Sequence, residues 1–117
     1  MKFLTMVKTL NPEVASEPPA ELMSAIVQLG MEAGPRMKET GGMALAGTVT
    51  TKNGMLTTDG PFAEAKEQVG GYAIYELETD AEMVEWTRRF VELHRQHWPH
   101  WDGEITILQL QQFTMGG

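Results

Sequence analysis

Apolar side chains occur on both faces of the strands that this sequence predicts, and no other feature limits the possible fold as much. In the predicted strand Glu104–Leu110, Ile105 and Ile107 point to one face while Leu108 and Leu110 point to the other, because successive residues of a strand alternate in direction. A sheet with one wet face would instead alternate apolar with polar residues. Each face of the predicted sheet therefore requires a cover.

The other predicted core strands have the same character. The segments Lys2–Lys8 and Tyr72–Leu77 are short β-type runs, and each carries apolar residues at both odd and even positions. A partly wet face, marked by the polar residues Thr5, Glu76 and Thr106, is the alternative interpretation. The balance of apolar residues favours burial of both faces.

Two helices are predicted from apolar residues that recur at helical spacing. The first covers Ala20–Ala33 and stops or bends at Gly34-Pro35, because a proline lacks the backbone N–H and crowds the preceding turn. The second begins at Thr79, which is spaced from Glu82 as in a capping box, and ends at Trp98-Pro99.

The segment that follows the first helix is predicted to contain a further helical piece over Arg36–Thr40 and then a strand over Met43–Thr51, with Gly47 as a bulge. The end of this strand, Thr48–Thr51, is expected to pair with Met55–Thr58. The two residues between these strands are Asn53 and Gly54, and both residue types tolerate the positive φ of a type I′ hairpin turn.

A polar loop is predicted over Asp59–Gly71, between this hairpin and the next strand. The resulting order predicts one α+β domain over residues 1–117, with a loose tail at 115–117. It matches the ferredoxin-like βαββαβ plan with an extra β-hairpin, in which both helices pack on one face of the sheet. The simplest cover for the other face is an identical sheet across a two-fold axis, which predicts a homodimer.

The most distinctive motif is the segment DGPFAEAKEQVGGY, which starts at Asp59. It resembles the signature of the DGPF-domain proteins, a branch of the YCII-related family, and its four letters stand here at Asp59, Gly60, Pro61 and Phe62. The resemblance implies a dimeric α/β-barrel built from ferredoxin-like subunits. It also implies an association with extracytoplasmic-function sigma factors.

The residues of the motif allow two interpretations. In the first, Asp59 caps its own turn, Phe62 anchors the loop in the core and Lys66 faces solvent. In the second, the loop lines a cleft in which Asp59 is a general base or an anchor and Lys66 holds an anion. We predict Phe62, Lys66, Tyr72 and Trp98 as ligand-binding residues on the second interpretation.

Histidines near the end of the second helix are the other catalytic candidates. His94 and His97 share a helix face, and either could carry a proton near neutral pH. The alternatives are that they complement the helix dipole or that they bind a metal, and no metal site is assigned. Some YCII-related proteins resemble enzymes with a His–Asp pair whose histidine lies on the first helix. Since Ala20–Ala33 contains no histidine, only Asp59 with His94 or His97 could rebuild that pair.

An aromatic group on and after the second helix either forms the wall of a pocket or belongs to the core. It consists of Trp86, Phe90, Trp98 and Trp101.

The composition limits the classes of binding partner. Nine Lys+Arg against 16 Asp+Glu give a net charge of -7, which disfavours direct contact with nucleic acid or an anionic membrane. The lack of cysteine excludes disulfides and Cys-ligated zinc. Without a signal-peptide pattern or an apolar span, a cytoplasmic protein is predicted.

No cofactor is predicted, because the sequence contains no phosphate-cradling loop and no dinucleotide fingerprint. The expected function is a small-molecule-binding or regulatory module with its site in the cleft beside the Asp59 loop. The alternatives are a cofactor-free enzyme that uses Asp59 with a histidine of the second helix, and a structural interaction protein.

Overall fold

A computed structural model describes residues 1–61 and 68–113 as an α+β fold with two helices and two antiparallel sheets. The strands and helices, in chain order, are β1 (Lys2–Thr9), α1 (Ala20–Ala33), β2 (Met37–Ala44), β3 (Thr48–Lys52), β4 (Met55–Asp59), β5 (Gln68–Glu76), α2 (Asp80–His97) and β6 (Gly103–Leu110). Neither helix is both long and apolar enough to cross a membrane.

The main sheet has the strand order β2-β5-β1-β6, and all of its neighbours are antiparallel. Strands β1 and β5 therefore lie at the centre. Phe3 pairs with Tyr75, and Thr5 pairs with both Ala73 and Ile107. These side chains share one face of the sheet because directly paired residues point the same way.

The hydrophobic core lies on that face, between the sheet and the helices. Its buried members are contributed by β1, by β5 together with the residue directly after it, and by both helices. They are Phe3, Ala33, Tyr75, Leu77 and Met83. Partly buried apolar residues from β2, β5, α2 and β6 pack against them. Both helices thus cover the same side of the sheet.

The second face of the main sheet carries a different apolar set. Leu4 pairs with Ile74 on one side and with Leu108 on the other, so the three residues form a row across the sheet. Leu108 is 42% exposed, and Leu110 on the same face is 40% exposed. Apolar residues on both faces, predicted from the sequence, are therefore present.

The two predicted helices are confirmed. The backbone N–H of Glu82 donates to Thr79 Oγ1 at 3.1 Å, which satisfies one of the free donors at the start of α2. Helix α1 ends at Gly34, where φ is +56° and the N–H donates to the carbonyl oxygen of Gly30. A glycine adopts this left-handed conformation without the steric cost of a side chain.

Three predictions for the region after α1 are wrong. Instead of a helical piece over Arg36–Thr40, a single 3-10 turn ends at Arg36 and β2 begins at Met37. Strand pairing with β5 satisfies the backbone groups of this segment, so a helix is not needed. The predicted strand Met43–Thr51 is two strands. Residues 45–47 separate them, so Gly47 lies between two strands and is not a bulge within one. A Cβ at Gly47 would lie 2.9 Å from the carbonyl oxygen of Asp59.

The predicted hairpin is confirmed, and it forms a separate two-stranded sheet. Pairing runs from Thr48 opposite Asp59 to Lys52 opposite Met55, and the turn residue Asn53 has a φ of +52°. Every residue of β3 and β4 is exposed. The predicted loop over Asp59–Gly71 is too long at both ends, because Asp59 completes β4 and β5 already begins at Gln68.

Candidate functional site

A cavity of about 450 Å³ lies between the main sheet and the two helices. Strands β1, β2, β5 and β6 supply its floor, and α1 and α2 supply its walls. Helix α1 contributes Met23, Ile26, Val27 and Gly30, whose spacing of three or four residues places them along one side of the helix. The site therefore follows from how the helices pack on the core face.

The lining of this cavity is apolar and aromatic. Trp86 and Phe90 reach it from α2 and Tyr75 from β5, while Thr5 and Ile105 form part of the floor. No aspartate, glutamate, lysine, arginine or histidine is among the lining residues within the described part of the chain. An uncharged aromatic lining with a few hydroxyl groups is typical of pockets for small organic molecules.

Three threonine hydroxyls of the lining are already used as donors. Each hydroxyl donates to a backbone carbonyl oxygen. The hydrogen bonds are Thr5 Oγ1 to Ala73 O at 3.3 Å, Thr40 Oγ1 to Tyr72 O at 2.9 Å and Thr87 Oγ1 to Met83 O at 2.8 Å. Their protons are occupied, but the lone pairs of their oxygens can still accept a hydrogen bond.

Tyr75 supplies a different polar group. Its side chain is only 7% exposed, and burial raises the pKa of its phenol above the usual 10.0. The hydroxyl is therefore protonated at neutral pH. Among the residues that the structure describes, no hydrogen bond involves this hydroxyl and no enclosed side-chain polar atom lacks a partner, so the hydroxyl is open to solvent and able to donate to a bound molecule.

A second hollow of about 670 Å³ runs along α1 and α2 and has a charged rim. Its charges neutralise one another, since Arg89 forms an ion pair with Glu32 and Arg88 Nη1 lies 3.3 Å from Glu85 Oε2. Paired surface ions of this kind offer a ligand little additional binding energy. The cavity between helices and sheet is the better candidate site.

The family model described as the YCII-related domain matches residues 1–92 of the 117. This range extends from β1 through most of α2. The chain belongs to the YCII-related domain family. A comparison with curated proteins finds no match to this sequence. Of the described residues that line the cavity in this YCII-related domain, only Ile105 lies beyond the matched range.

Of the sequence-predicted ligand-binding residues that the structure describes, Tyr72 lines the cavity. Its hydroxyl donates to Glu39 Oε2 at 2.5 Å, and this hydrogen bond raises the pKa of Tyr72. Trp98 lies elsewhere in the YCII-related domain. It follows the last turn of α2 and stacks on Trp101, with the ring centroids 6.1 Å apart.

Phe62 and Lys66 lie outside the described residues, and their predicted ligand contacts stay predictions. The aromatic group predicted from the sequence divides in two. Trp86 and Phe90 line the cavity, whereas Trp98 and Trp101 form a separate cluster with His94. The sequence alone did not show this division, because it depends on which side of α2 meets the sheet.

The predicted catalytic residues occupy different parts of the YCII-related domain. Asp59 is the exposed last residue of β4, on the separate two-stranded sheet. His94 is buried, and burial lowers its pKa. His97 is the half-buried last residue of α2. Across residues 1–61 and 68–113, no hydrogen bond joins Asp59 to either histidine, so their catalytic roles stay predictions.

The structure also bears on the metal alternative. Within the described ranges, no three His, Asp or Glu side chains come close enough together to hold a metal ion.

The cavity-lining residues that the sequence did not predict are Thr5 and Tyr75, together with the side of α1 that faces the cavity. Thr5 carried a signal, since a polar residue stands between Phe3 and Val7 on the core face of β1.

Proposed function

We propose that this YCII-related domain is a small-molecule-binding module whose ligand occupies the cavity between the sheet and the helices. The observation that carries the proposal is a volume of about 450 Å³ with an apolar, aromatic lining and a few hydroxyl groups. Pockets of this size and chemistry bury most of the surface of a metabolite-sized molecule. A regulatory module that senses a metabolite fits this arrangement, with a sigma factor as the partner that the family resemblance suggests.

The proposal includes a ferredoxin-like subunit that forms a homodimer. The strand order β6-β1-β5-β2, with both helices over one face, supports the ferredoxin-like plan with the β3–β4 hairpin inserted. The second face carries Leu4, Ile74, Leu108 and Leu110, and an apolar row of this kind supports burial against an identical sheet. Two sheets joined in this way would form the dimeric α/β-barrel.

A thermal-shift screen tests the ligand proposal. A library of neutral, anionic and cationic metabolites should contain compounds that raise the Tm by a few degrees, because a ligand that binds only the folded state stabilises it. The variant Gly30→Leu places a side chain at the cavity wall and should remove the shift. The matched control Ser24→Leu adds the same side chain at an exposed position of α1 and should keep it. Shifts that Gly30→Leu leaves unchanged would contradict the site.

Analytical ultracentrifugation tests the dimer. The wild-type chain should sediment as a dimer at micromolar concentration, and Leu108→Lys should convert it to a monomer because a charge would be buried in the interface. Met31→Lys introduces the same charge at a residue of α1 that is 70% exposed, and it should leave the dimer intact. A wild-type monomer at this concentration would refute the dimer.

A further inference from the structure

We infer that the cavity selects a neutral, largely apolar ligand that carries an oxygen acceptor such as a carbonyl group, and that Tyr75 donates the hydrogen bond that recognises this acceptor. This inference rests on the proposed function and concerns the same cavity. It commits to the charge and the polar group of the ligand, which the proposed function leaves open.

The uncharged lining carries the first part of the inference. None of the lining residues is aspartate, glutamate, lysine, arginine or histidine, so no described side chain in the cavity could neutralise an ionic ligand. Moving an unpaired ion from water into an apolar site is strongly unfavourable, whereas a neutral ligand with the same hydrocarbon part buries the same apolar surface. A neutral molecule avoids this cost.

Two cations beside a lining residue do not change this conclusion. The guanidinium carbons of Arg36 and Arg89 lie 5.9 Å and 4.8 Å from the ring centroid of Trp86, which is itself a lining residue. Arg89 is held by the carboxylate of Glu32. Arg36 Nη1 donates to the carbonyl oxygens of Glu32 at 3.5 Å and Ala33 at 3.4 Å. Both cations are engaged outside the lining, so neither serves as an anion anchor in the cavity.

The hydroxyl groups of the lining support the second part of the inference, which is the oxygen acceptor on the ligand. Because Thr5, Thr40 and Thr87 donate to backbone carbonyls, their protons are not available to a ligand. Tyr75 lines the same cavity, and its hydroxyl has no hydrogen bond to another described residue. Because no enclosed side-chain polar atom of the described residues lacks a partner, this hydroxyl is open to solvent. A ligand that displaces this solvent leaves the hydroxyl unpaired unless the ligand offers an acceptor, so a ligand with a carbonyl or ether oxygen is favoured over a hydrocarbon of the same shape.

Four naphthalene derivatives of nearly equal size test both parts. They are 2-acetylnaphthalene (a neutral ketone), 2-ethylnaphthalene (no acceptor), 2-naphthoate (an anion) and 2-naphthylmethylammonium (a cation). Binding to the full chain at pH 7 is measured by isothermal titration calorimetry. The ketone should bind at least about ten-fold more tightly than either ion and about three- to ten-fold more tightly than 2-ethylnaphthalene.

The variant Tyr75→Phe identifies the donor. It should weaken binding of the ketone about three- to ten-fold and leave 2-ethylnaphthalene within about two-fold, because only the ketone uses the hydroxyl. The far-UV circular dichroism of the variant is compared with the wild type. The comparison of the four compounds on the wild-type chain tests the charge preference independently of any variant.

The outcomes separate this inference from the proposed function. If an ion binds as tightly as the ketone and Gly30→Leu abolishes that binding, the ligand class is wrong and the cavity proposal stands. If the ketone and 2-ethylnaphthalene bind equally and Tyr75→Phe changes neither, the role of Tyr75 is wrong. If none of the four compounds and no library compound binds, both proposals are overturned.

Discussion

The imidazole Nδ1 of His94 lies 2.9 Å from the carbonyl oxygen of Phe90, one turn earlier in α2. The ring is buried between the side chains of Phe90 and Trp101, with centroid distances of 4.6 Å and 4.3 Å. As the neutral tautomer, His94 donates its Nδ1 proton to this carbonyl. His94 is thus a packed residue of the helix end as well as a titratable one.

Acid should weaken the fold through His94. Burial lowers its pKa below the ordinary 6.5, so the unfolded chain binds this proton more readily than the folded chain. The contribution to the free energy of unfolding is therefore complete above pH 6.5 and falls below it, by no more than about 1.4 kcal/mol per pH unit. Urea denaturation of the wild type and His94→Asn, repeated between pH 8 and pH 5, should show the difference between the two proteins shrinking as the pH falls. His100→Asn, at an exposed position, is the control, and parallel profiles for the wild type and His94→Asn would contradict this account.

Gly103→Ala should destabilise the protein by about 1–3 kcal/mol. A Cβ at Gly103 would lie 1.9 Å from carbons of the Trp101 indole, which would have to leave its contact with His94 and its 2.9 Å hydrogen bond to Thr9 Oγ1. Gly71→Ala is the matched control, because the nearest atom to its Cβ is the carbonyl oxygen of Gly41 at 3.5 Å. Chemical denaturation followed by circular dichroism measures both. Equal stability of the two variants would show that Trp101 moves aside at little cost.

Gly30 of α1 and Gly34, directly after this helix, should respond to alanine in opposite directions. Gly30 is inside the helix, and its Cβ would meet only the methyl carbon of Met37 at 3.8 Å, so Gly30→Ala should stabilise the fold by about 0.5–1 kcal/mol. Gly34 has a φ of +56°, so Gly34→Ala should destabilise it by about 1 kcal/mol. Thermal denaturation distinguishes the two. A loss of stability in Gly30→Ala would mean that the methyl group does not fit beside the cavity.

Thr79→Ala should cost about 1 kcal/mol, because it removes the acceptor for the backbone N–H of Glu82 at the start of α2. The neighbouring exposed substitution Glu78→Ala touches no cap and should stay within about 0.5 kcal/mol of the wild type. Denaturant midpoints of the two variants provide the comparison. If both lose the same stability, the cap at Thr79 does not hold the helix.

Local sequence patterns predicted the elements whose cause is local. The spacing of apolar residues gave α1, the pair Thr79 and Glu82 marked the start of α2, and Asn53-Gly54 marked the hairpin turn. Strand β2 was missed because its sequence, MKETGGMA, is neither a continuous apolar run nor an alternating pattern. It is a strand through its pairing with β5, and a partner distant in sequence leaves no signal in the segment itself.

The candidate site was harder to predict than the fold. Asp59 and the histidines are predicted as catalytic from the sequence because their side chains are reactive. The cavity, however, is lined by residues that have the composition of an ordinary core. Ala73 and Tyr75 lie on the opposite face of β5 from Ile74. They line the cavity because α1 and α2 pack over their face of the sheet. Residue chemistry alone therefore pointed to the exposed hairpin and the end of α2, away from the cavity.

The three tryptophans lie in two separate environments, one within α2 and one just after its end. Trp86 borders the cavity, while Trp98 and Trp101 stack together beside His94. Replacing the stacked pair with phenylalanine would leave Trp86 as the sole indole fluorophore. Its emission would then register the polarity of the cavity directly, and occupancy could be followed in solution without attaching a dye.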